Sequence, residues 1–436
     1  MQSSVQTLEA LKRKITITVP ADEVTVAYKA RLNEVSKTAK INGFRPGKVP
    51  ADVIEQRYGK SVLDEIAGKL IQTNFDQAIR DADIRVAGTP SVTDMTINKG
   101  EPFEFKATYE VYPEIELNVL ENATIEREQT TINDDDMAIM LEKLQKQHAD
   151  FKVVEREAKD GDRVVIDFDG SIDGEAFEGG MAKQHTLELG SKSMIPGFEE
   201  GIAGMKPGEE RDVDVKFPDD YQAEELKGKK AVFKIVLHKV EEMELPPVDD
   251  KLAEKMQVEG GVDGLKTKVR DGMDRELTEQ LKSRLKEQVL DKLLEANKID
   301  VPEVLVAAEV QHLKKMSLNR MASQYGMKPE QLESLNLPDD PYKEQADKRV
   351  RLGLLLAEVI KKYDIKSDQD KLKARVTEVA AYYQKPEEVE QWYMSNQEAL
   401  SEIEAGLIED QAVEKLLEEA TVTDKTVNYQ DIVTSQ

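Results

Sequence analysis

Cysteine is absent from this 436-residue sequence. That one lack excludes a disulfide framework, cysteine-ligated metals and thiol nucleophiles, and it fits a reducing compartment. Histidine is scarce. His148, His185, His238 and His312 lie far apart and show no ligand spacing, so no metal is expected. No stretch approaches the roughly 18 apolar residues that span a bilayer, so no membrane partner is expected. The opening MQSSVQTLEALKRKITITVPAD lacks the apolar core of about 7–15 residues found in a secretory signal, and the expected location is the cytoplasm. A GxxxxGK[ST] phosphate loop is missing, so neither nucleotide-driven work nor a cofactor is expected.

Charge is what the chain has in quantity. It carries 61 Lys and Arg against 87 Asp and Glu, a net of −26, with 39% hydrophobic residues to fill cores. At roughly 100–200 residues per domain the length predicts two to four domains. The charge is unevenly placed. Residues 1–112 hold 16 bases and 15 acids, a net of 16 − 15 = +1, which leaves −26 − 1 = −27 for the remainder. Within 29–60, Lys29, Arg31, Lys37, Lys40, Arg45, Lys48, Arg57 and Lys60 face only Glu34, Asp52 and Glu55. A solvated helix face accounts for such a run as well as a binding surface does. A basic head on an acidic body also suits docking on a polyanion in one orientation, because the body is repelled.

Periodicity divides the chain. Ile15, Ile17 and Val19 alternate as a strand, while Val24, Tyr28, Leu32, Val35 and Ala39 recur at helical spacing. A second helical run covers about 51–82, and Phe103 to Val111 alternate again. Residues 1–112 therefore read as a small α+β domain. Residues 113–150 read as a connector, extended at first (Ile115, Leu117, Val119, Ile125) and then helical from Met137 to His148. In 151–245 turns become dense, and β runs fall at Arg163–Phe168, Glu210–Phe217 and Lys230–Val240. From 246 onward the pattern is helical, with runs near 303–323, 341–363, 369–384 and 397–419. Leu265, Val269, Met273, Leu277, Leu281, Leu285, Val289 and Leu293 recur every fourth residue. Such a row drifts by about 40° per step and winds round the helix, so it must touch different neighbours along its length. That suits a multi-armed bundle, not a coiled coil.

Between the first two helical runs lies Ile41-Asn42-Gly43-Phe44-Arg45-Pro46-Gly47-Lys48-Val49-Pro50. Gly43 and Gly47 permit positive φ, and Pro46 fixes its own φ and pushes Arg45 towards extended geometry. A stiff loop presenting Phe44, Arg45 and Lys48 suits structured RNA with protein beside it. A plain helix–helix turn with Phe44 capping the core suits the residues equally.

GFRPGKVP resembles the ribosome-docking signature of bacterial trigger factors, and the order of loop, central β domain and helical region extends the resemblance along the whole chain. The resemblance implies that Gly43, Phe44, Arg45, Pro46, Gly47 and Lys48 dock beside the polypeptide exit tunnel, on a large-subunit protein and adjoining rRNA. Many members carry Lys where Pro46 stands. It also implies nascent and unfolded polypeptides as partners, weak homodimerisation off the ribosome, and a connector packed on the helical domain.

The central segment runs Val164-Val165-Ile166-Asp167-Phe168-Asp169-Gly170, then Asp173-Gly174, Phe177-Glu178-Gly179-Gly180, Met194-Ile195-Pro196-Gly197-Phe198-Glu199-Glu200-Gly201, Met205-Lys206-Pro207-Gly208-Glu209, Tyr221 and Phe233. As an ordered set it resembles FKBP-type peptidyl-prolyl isomerases, an antiparallel β fold with one short helix. The resemblance implies a pocket of Phe168, Phe177, Glu178, Ile195, Phe198, Tyr221 and Phe233. FKBP relatives usually have Tyr at 168, Asp at 178 and Trp at 198, departures that bear on binding of macrolide inhibitors. The fold class is thus multidomain α+β: a small α+β N-terminal domain (1–112), the connector (113–150), the FKBP-like domain (151–245) and an all-α multi-armed C-terminal domain (246–436). The resemblance implies an ATP-independent chaperone and prolyl isomerase. A free foldase and a non-enzymatic adaptor are the alternatives.

In the helical region Met256, Met273, Met316, Met321, Met327 and Met394 offer flexible apolar contacts. A minority of apolar positions near 304–327 and 350–360 are expected to face clients.

Overall fold

The computed structural model describes residues 2–41, 44, 49–121, 123–221, 223–332, 335, 337–381, 383 and 385–434, with backbone alone at 178, 329 and 330. The chain forms two compact units. One contains Met1–Arg127 and Arg284–Asp424, the other Glu128–Ser283 and Lys425–Gln436.

The first unit opens with strands β1 (Gln2–Glu9) and β2 (Lys12–Val19), followed by helices α1 (Ala21–Thr38) and α2 (Ala51–Asp81) and strands β3 (Val86–Thr96) and β4 (Phe103–Val111). The sheet is antiparallel in the order β1-β2-β4-β3. Alternation does what it should: Ile15, Ile17, Val19, Phe103, Phe105 and Ala107 fill one face and meet Val24, Tyr28, Val62, Ile66 and Phe75 of the helices. Pro20 and Pro50 stand at the N-caps of α1 and α2. There the missing N–H costs no helical hydrogen bond. Beyond β4 the chain runs without regular structure to β5 (Thr124–Gln129). Ile115, Leu117, Leu120 and Ile125 on this stretch pack with Val289, Leu293, Leu355, Val359 and Leu416.

In the second unit helix α3 (Asp134–Gln147) starts on a reciprocal cap: Asp136 N–H donates to Asn133 Oδ1 at 3.0 Å and Asn133 N–H to Asp136 Oδ2 at 3.1 Å. Then come β6 (Asp150–Val154), β7 (Arg163–Ile172), β8 (Glu175–Glu188), the short helix α4 (Phe198–Ile202), β9 (Glu210–Lys216) and β10 (Lys230–Glu244). These strands form one antiparallel sheet ordered β6-β10-β7-β8, with β9 also on β10. Its core joins Val164, Ile166, Phe168, Phe198, Ile202, Met205, Phe233, Ile235 and Leu237. Strand β8, which pairs with β7, lies outside the three β runs that the sequence suggests for this domain.

The rest is mostly helix: α5 (Asp250–Lys255), α6 (Gly261–Ala296), α7 (Glu303–Tyr325), α8 (Pro329–Leu332), α9 (Asp340–Lys362), α10 (Gln369–Ala380), α11 (Pro386–Ser395) and α12 (Gln397–Glu419), then strand β11 (Thr421–Thr426) and α13 (Tyr429–Val433). The helical reading of 246–436 passed over β11, which pairs with β5. All six residues of β11 are exposed, so no apolar alternation announces it. The winding row on α6 meets three sets of partners: Leu265 packs with Leu252 and Ala253, Met273 and Leu277 with Met137, Tyr429 and Ile432, and Val289 and Leu293 with Leu355 and Leu416.

Candidate functional site

On β7 every second residue points into the β domain, and the row Val164, Ile166, Phe168, Gly170 ends at a gap. Gly170 pairs with Phe233 on β10. A Cβ at 170 would lie 2.5 Å from Phe233 Cε1, so the glycine is what lets the ring lie across the strand. Phe233 then meets Phe198 at 5.2 Å between centroids, Phe168 at 5.9 Å and Phe177 at 5.9 Å, all edge to face. Phe217 adds a fifth ring against Phe177 at 5.8 Å and against Tyr221 at 4.8 Å. Edge-to-face packing holds ring angles more tightly than burial alone.

These rings line a cleft of about 480 Å³, with Gly179, His185, Ser193, Met194, Ile195, Pro196 and Pro218 completing it. No carboxylate, lysine or arginine lines it among the described residues. The cleft is therefore apolar, with few donors. Tyr221 Oη and the Ile195 N–H have no hydrogen-bond partner among the described residues. Both residues line the cleft.

One wall is the segment between β8 and α4. Glu199, on α4 next to Phe198, is only 7% exposed. Its carboxylate accepts from Gly190 N–H at 2.8 Å, Lys192 N–H at 3.1 Å and Met194 N–H at 3.2 Å. Burial opposes this charge, but the N–H groups of Met194, Lys192, Gly190 and Ser193 outweigh it and hold the carboxyl below its ordinary pKa. A second carboxylate, outside the cleft, stands on the outer face of β7. Across from Asp167, β8 carries an extra residue, and His238 is a bulge on β10. Asp167 Oδ1 accepts from Gln184 N–H at 2.7 Å, and His238 Nε2 lies 2.9 Å from Asp167 Oδ2. Its neighbour His185 meets Phe168 edge to face at 5.7 Å.

The structure brings Phe168, Phe177, Ile195, Phe198, Tyr221 and Phe233 together around this cleft. The side chain of Glu178 lies outside the described residues. Phe217, His185 and Met194 also line it and were not singled out from sequence. Phe217 alternates with Val213 and Val215, so it reads as plain core.

In the N-terminal domain, Gly43, Arg45, Pro46, Gly47 and Lys48 lie outside the described residues. Phe44 is described, and 43% of it is exposed. Its N–H donates to Ile41 O at 3.1 Å. Ile41 itself is buried with Ala39 and Ile54, so the stem of the loop is anchored while the ring at 44 is accessible. Lys29, Lys37, Lys40, Arg57 and Lys60 are exposed and form no ion pair among the described residues, whereas Arg31 is held by Glu34 and Glu65.

Among the helices, Met316, Tyr325, Met327, Leu335, Tyr383, Trp392 and Met394 are exposed, and Met273 is core. Near 350–360, Leu355 and Val359 are fully buried, Leu352, Leu354, Leu356 and Ile360 are half-buried, and Ala357 is exposed.

Comparison with known proteins agrees along the whole length. The family described as "Bacterial trigger factor protein (TF)" matches residues 1–144, its C-terminal part matches 261–418, and "FKBP-type peptidyl-prolyl cis-trans isomerase" matches 154–238. A trigger factor of Coxiella burnetii (strain CbuG_Q212) is 51% identical over 432 residues, covering 99% of this chain and 98% of that one. That of Saccharophagus degradans is 45% identical over 435 residues with the same coverage. That of Colwellia psychrerythraea is 44% identical, covering 99% of each chain.

Proposed function

This chain belongs to the bacterial trigger factor family, and on that footing we propose that it is an ATP-independent chaperone of the cytoplasm. It docks at the large ribosomal subunit near the exit tunnel, holds nascent and unfolded chains, and isomerises X–Pro bonds in the β-domain cleft. Docking uses the 43–48 loop, with Phe44 in an apolar notch and Arg45 and Lys48 on rRNA phosphate. Off the ribosome the chain self-associates weakly. Neither cofactor nor metal takes part.

The observation that carries the isomerase reading is an aromatic cleft that, among the described residues, has no charged side chain in its lining and two donors without partners. The barrier to rotation, about 18–20 kcal/mol, comes from amide resonance. The planar amide is more charge-separated than the twisted one, so moving it from water to a dry aromatic cleft favours the twisted state. Tyr221 Oη and Ile195 N–H hold the carbonyl while the proline ring sits among Phe168, Phe198 and Phe233. No acid, base or bond cleavage is needed. The uncatalysed step takes about 10–100 s, slow enough to delay a new chain.

Refolding of a protein limited by one X–Pro bond tests the reading. Wild type accelerates the slow phase, and Tyr221→Phe lowers kcat/KM by about tenfold, the loss of one hydrogen bond. Phe198→Ala abolishes the acceleration. Because Phe198 is fully buried, circular dichroism must show that this variant is folded, and the tyrosine variant gives an independent result. A slow phase untouched by wild type overturns the reading.

A further inference from the structure

The wall that presents Ile195 is not held by a strand ladder. Residues 190–197 lie between β8 and α4, and their backbone includes Gly190 at φ 87° and Lys192 at φ 56°. Such a segment needs partners for its N–H groups. Three of them, at 190, 192 and 194, converge on one buried carboxylate, and the Ser191 hydroxyl adds a fourth donor at 3.4 Å. The next N–H, that of Ile195, has no partner among the described residues, and Ile195 lines the cleft. Helix α4 thus supplies the floor of the cleft through Phe198 and fixes its wall through Glu199. Glu200 caps the same helix by accepting from Gly197 N–H at 2.9 Å.

We infer that Glu199 is a positioning residue for X–Pro binding: by gathering the N–H groups of 190, 192 and 194 onto its carboxylate it fixes the backbone so that the Ile195 N–H meets the substrate carbonyl. This rests on the isomerase reading above for its consequence in rate, but not for its consequence in binding. An amide at 199 has one acceptor oxygen where the carboxylate has two, and its NH₂ opposes the donors aimed at it. The volume is unchanged, so the core around Phe198 keeps its shape. The wall should loosen by a fraction of an ångström, and misplacement on that scale is enough to cost about tenfold in rate.

The test compares the full chain with Glu199→Gln and with Val240→Ala. Val240 is a fully buried core residue that does not line the cleft, so its variant matches a general loss of stability. Each is assayed for proline-limited refolding, for thermal midpoint, and for the amide resonance of Ile195 during titration with a Leu-Pro peptide. The expected result is a fall of about tenfold in kcat/KM for Glu199→Gln, with the Ile195 resonance no longer following the peptide. Val240→Ala keeps both signals at a similar midpoint. Wild-type rate and an unchanged Ile195 titration in Glu199→Gln overturn the inference. So does an equal loss in Val240→Ala, which makes the carboxylate merely structural. If wild type binds the peptide through Ile195 but accelerates nothing, the isomerase reading falls and the positioning role in binding stands.

Discussion

Asp167 shows how much one side chain can organise. It stands between two inward residues of β7 and ties a bulge on β8 to one on β10. Gln184 N–H first and His238 second keep its carboxyl below the usual value. A depressed carboxyl contributes stability above its unfolded pKa, about 3.9, and loses it as pH falls through the folded value. Asp167→Asn is therefore less stable than wild type at pH 7, and the two converge as the medium is acidified below about pH 4. Urea midpoints at several pH values check this, and a constant gap at every pH counts against it. Gly170→Ala is a sharper lesion. Its Cβ would overlap Phe233, and about 1–3 kcal/mol should be lost with the displaced ring. At this scale the sequence was partly legible. Phe168, Phe177, Phe198, Tyr221 and Phe233 stand in a familiar order. Glu199 reads as half of an ordinary acidic pair with Glu200, because nothing in the string says that its oxygens turn inward and Glu200's serve a cap.

Helix α7 illustrates how one element is set by another. Val304 N–H, in its first turn, donates to Glu110 Oε2 on β4 at 2.8 Å. The carboxylate sits at the positive end of the helix and is mostly buried. Lys12 Nζ to Glu303 at 2.7 Å lies beside it on the surface. Glu110→Ala should cost about 1–2 kcal/mol because it leaves a helix donor unmet, while Lys12→Ala should change little. Equilibrium unfolding of the two variants separates these outcomes, and equal losses would contradict the assignment. Periodicity located the elements that bury one face, such as α1, α2, β4 and β10. It missed β1, whose eight residues are all exposed, and β11 for the same reason. Alternation records burial, and a strand with both faces in water has none to record. Three prolines mark where helices begin, since Pro302 is the N-cap of α7 and Pro341 and Pro386 open α9 and α11.

For the whole molecule, charge is the readable quantity. A net of −26 with a near-neutral first 112 residues concentrates any attraction to polyanions at one end. Exposed Lys29, Lys37, Lys40, Arg57 and Lys60 lie on the segments that flank the 41–50 loop in sequence; Ile41 anchors its stem, and Phe44 is accessible. The most direct measurement is co-sedimentation of wild type and the Phe44→Ala, Arg45→Ala, Lys48→Ala triple variant with ribosomes, each also assayed for isomerase activity in free solution. The expected result is ribosome binding that weakens with added salt in wild type and is lost in the triple variant, with isomerase activity equal in both. A triple variant that sediments with ribosomes as wild type does would contradict docking through this loop.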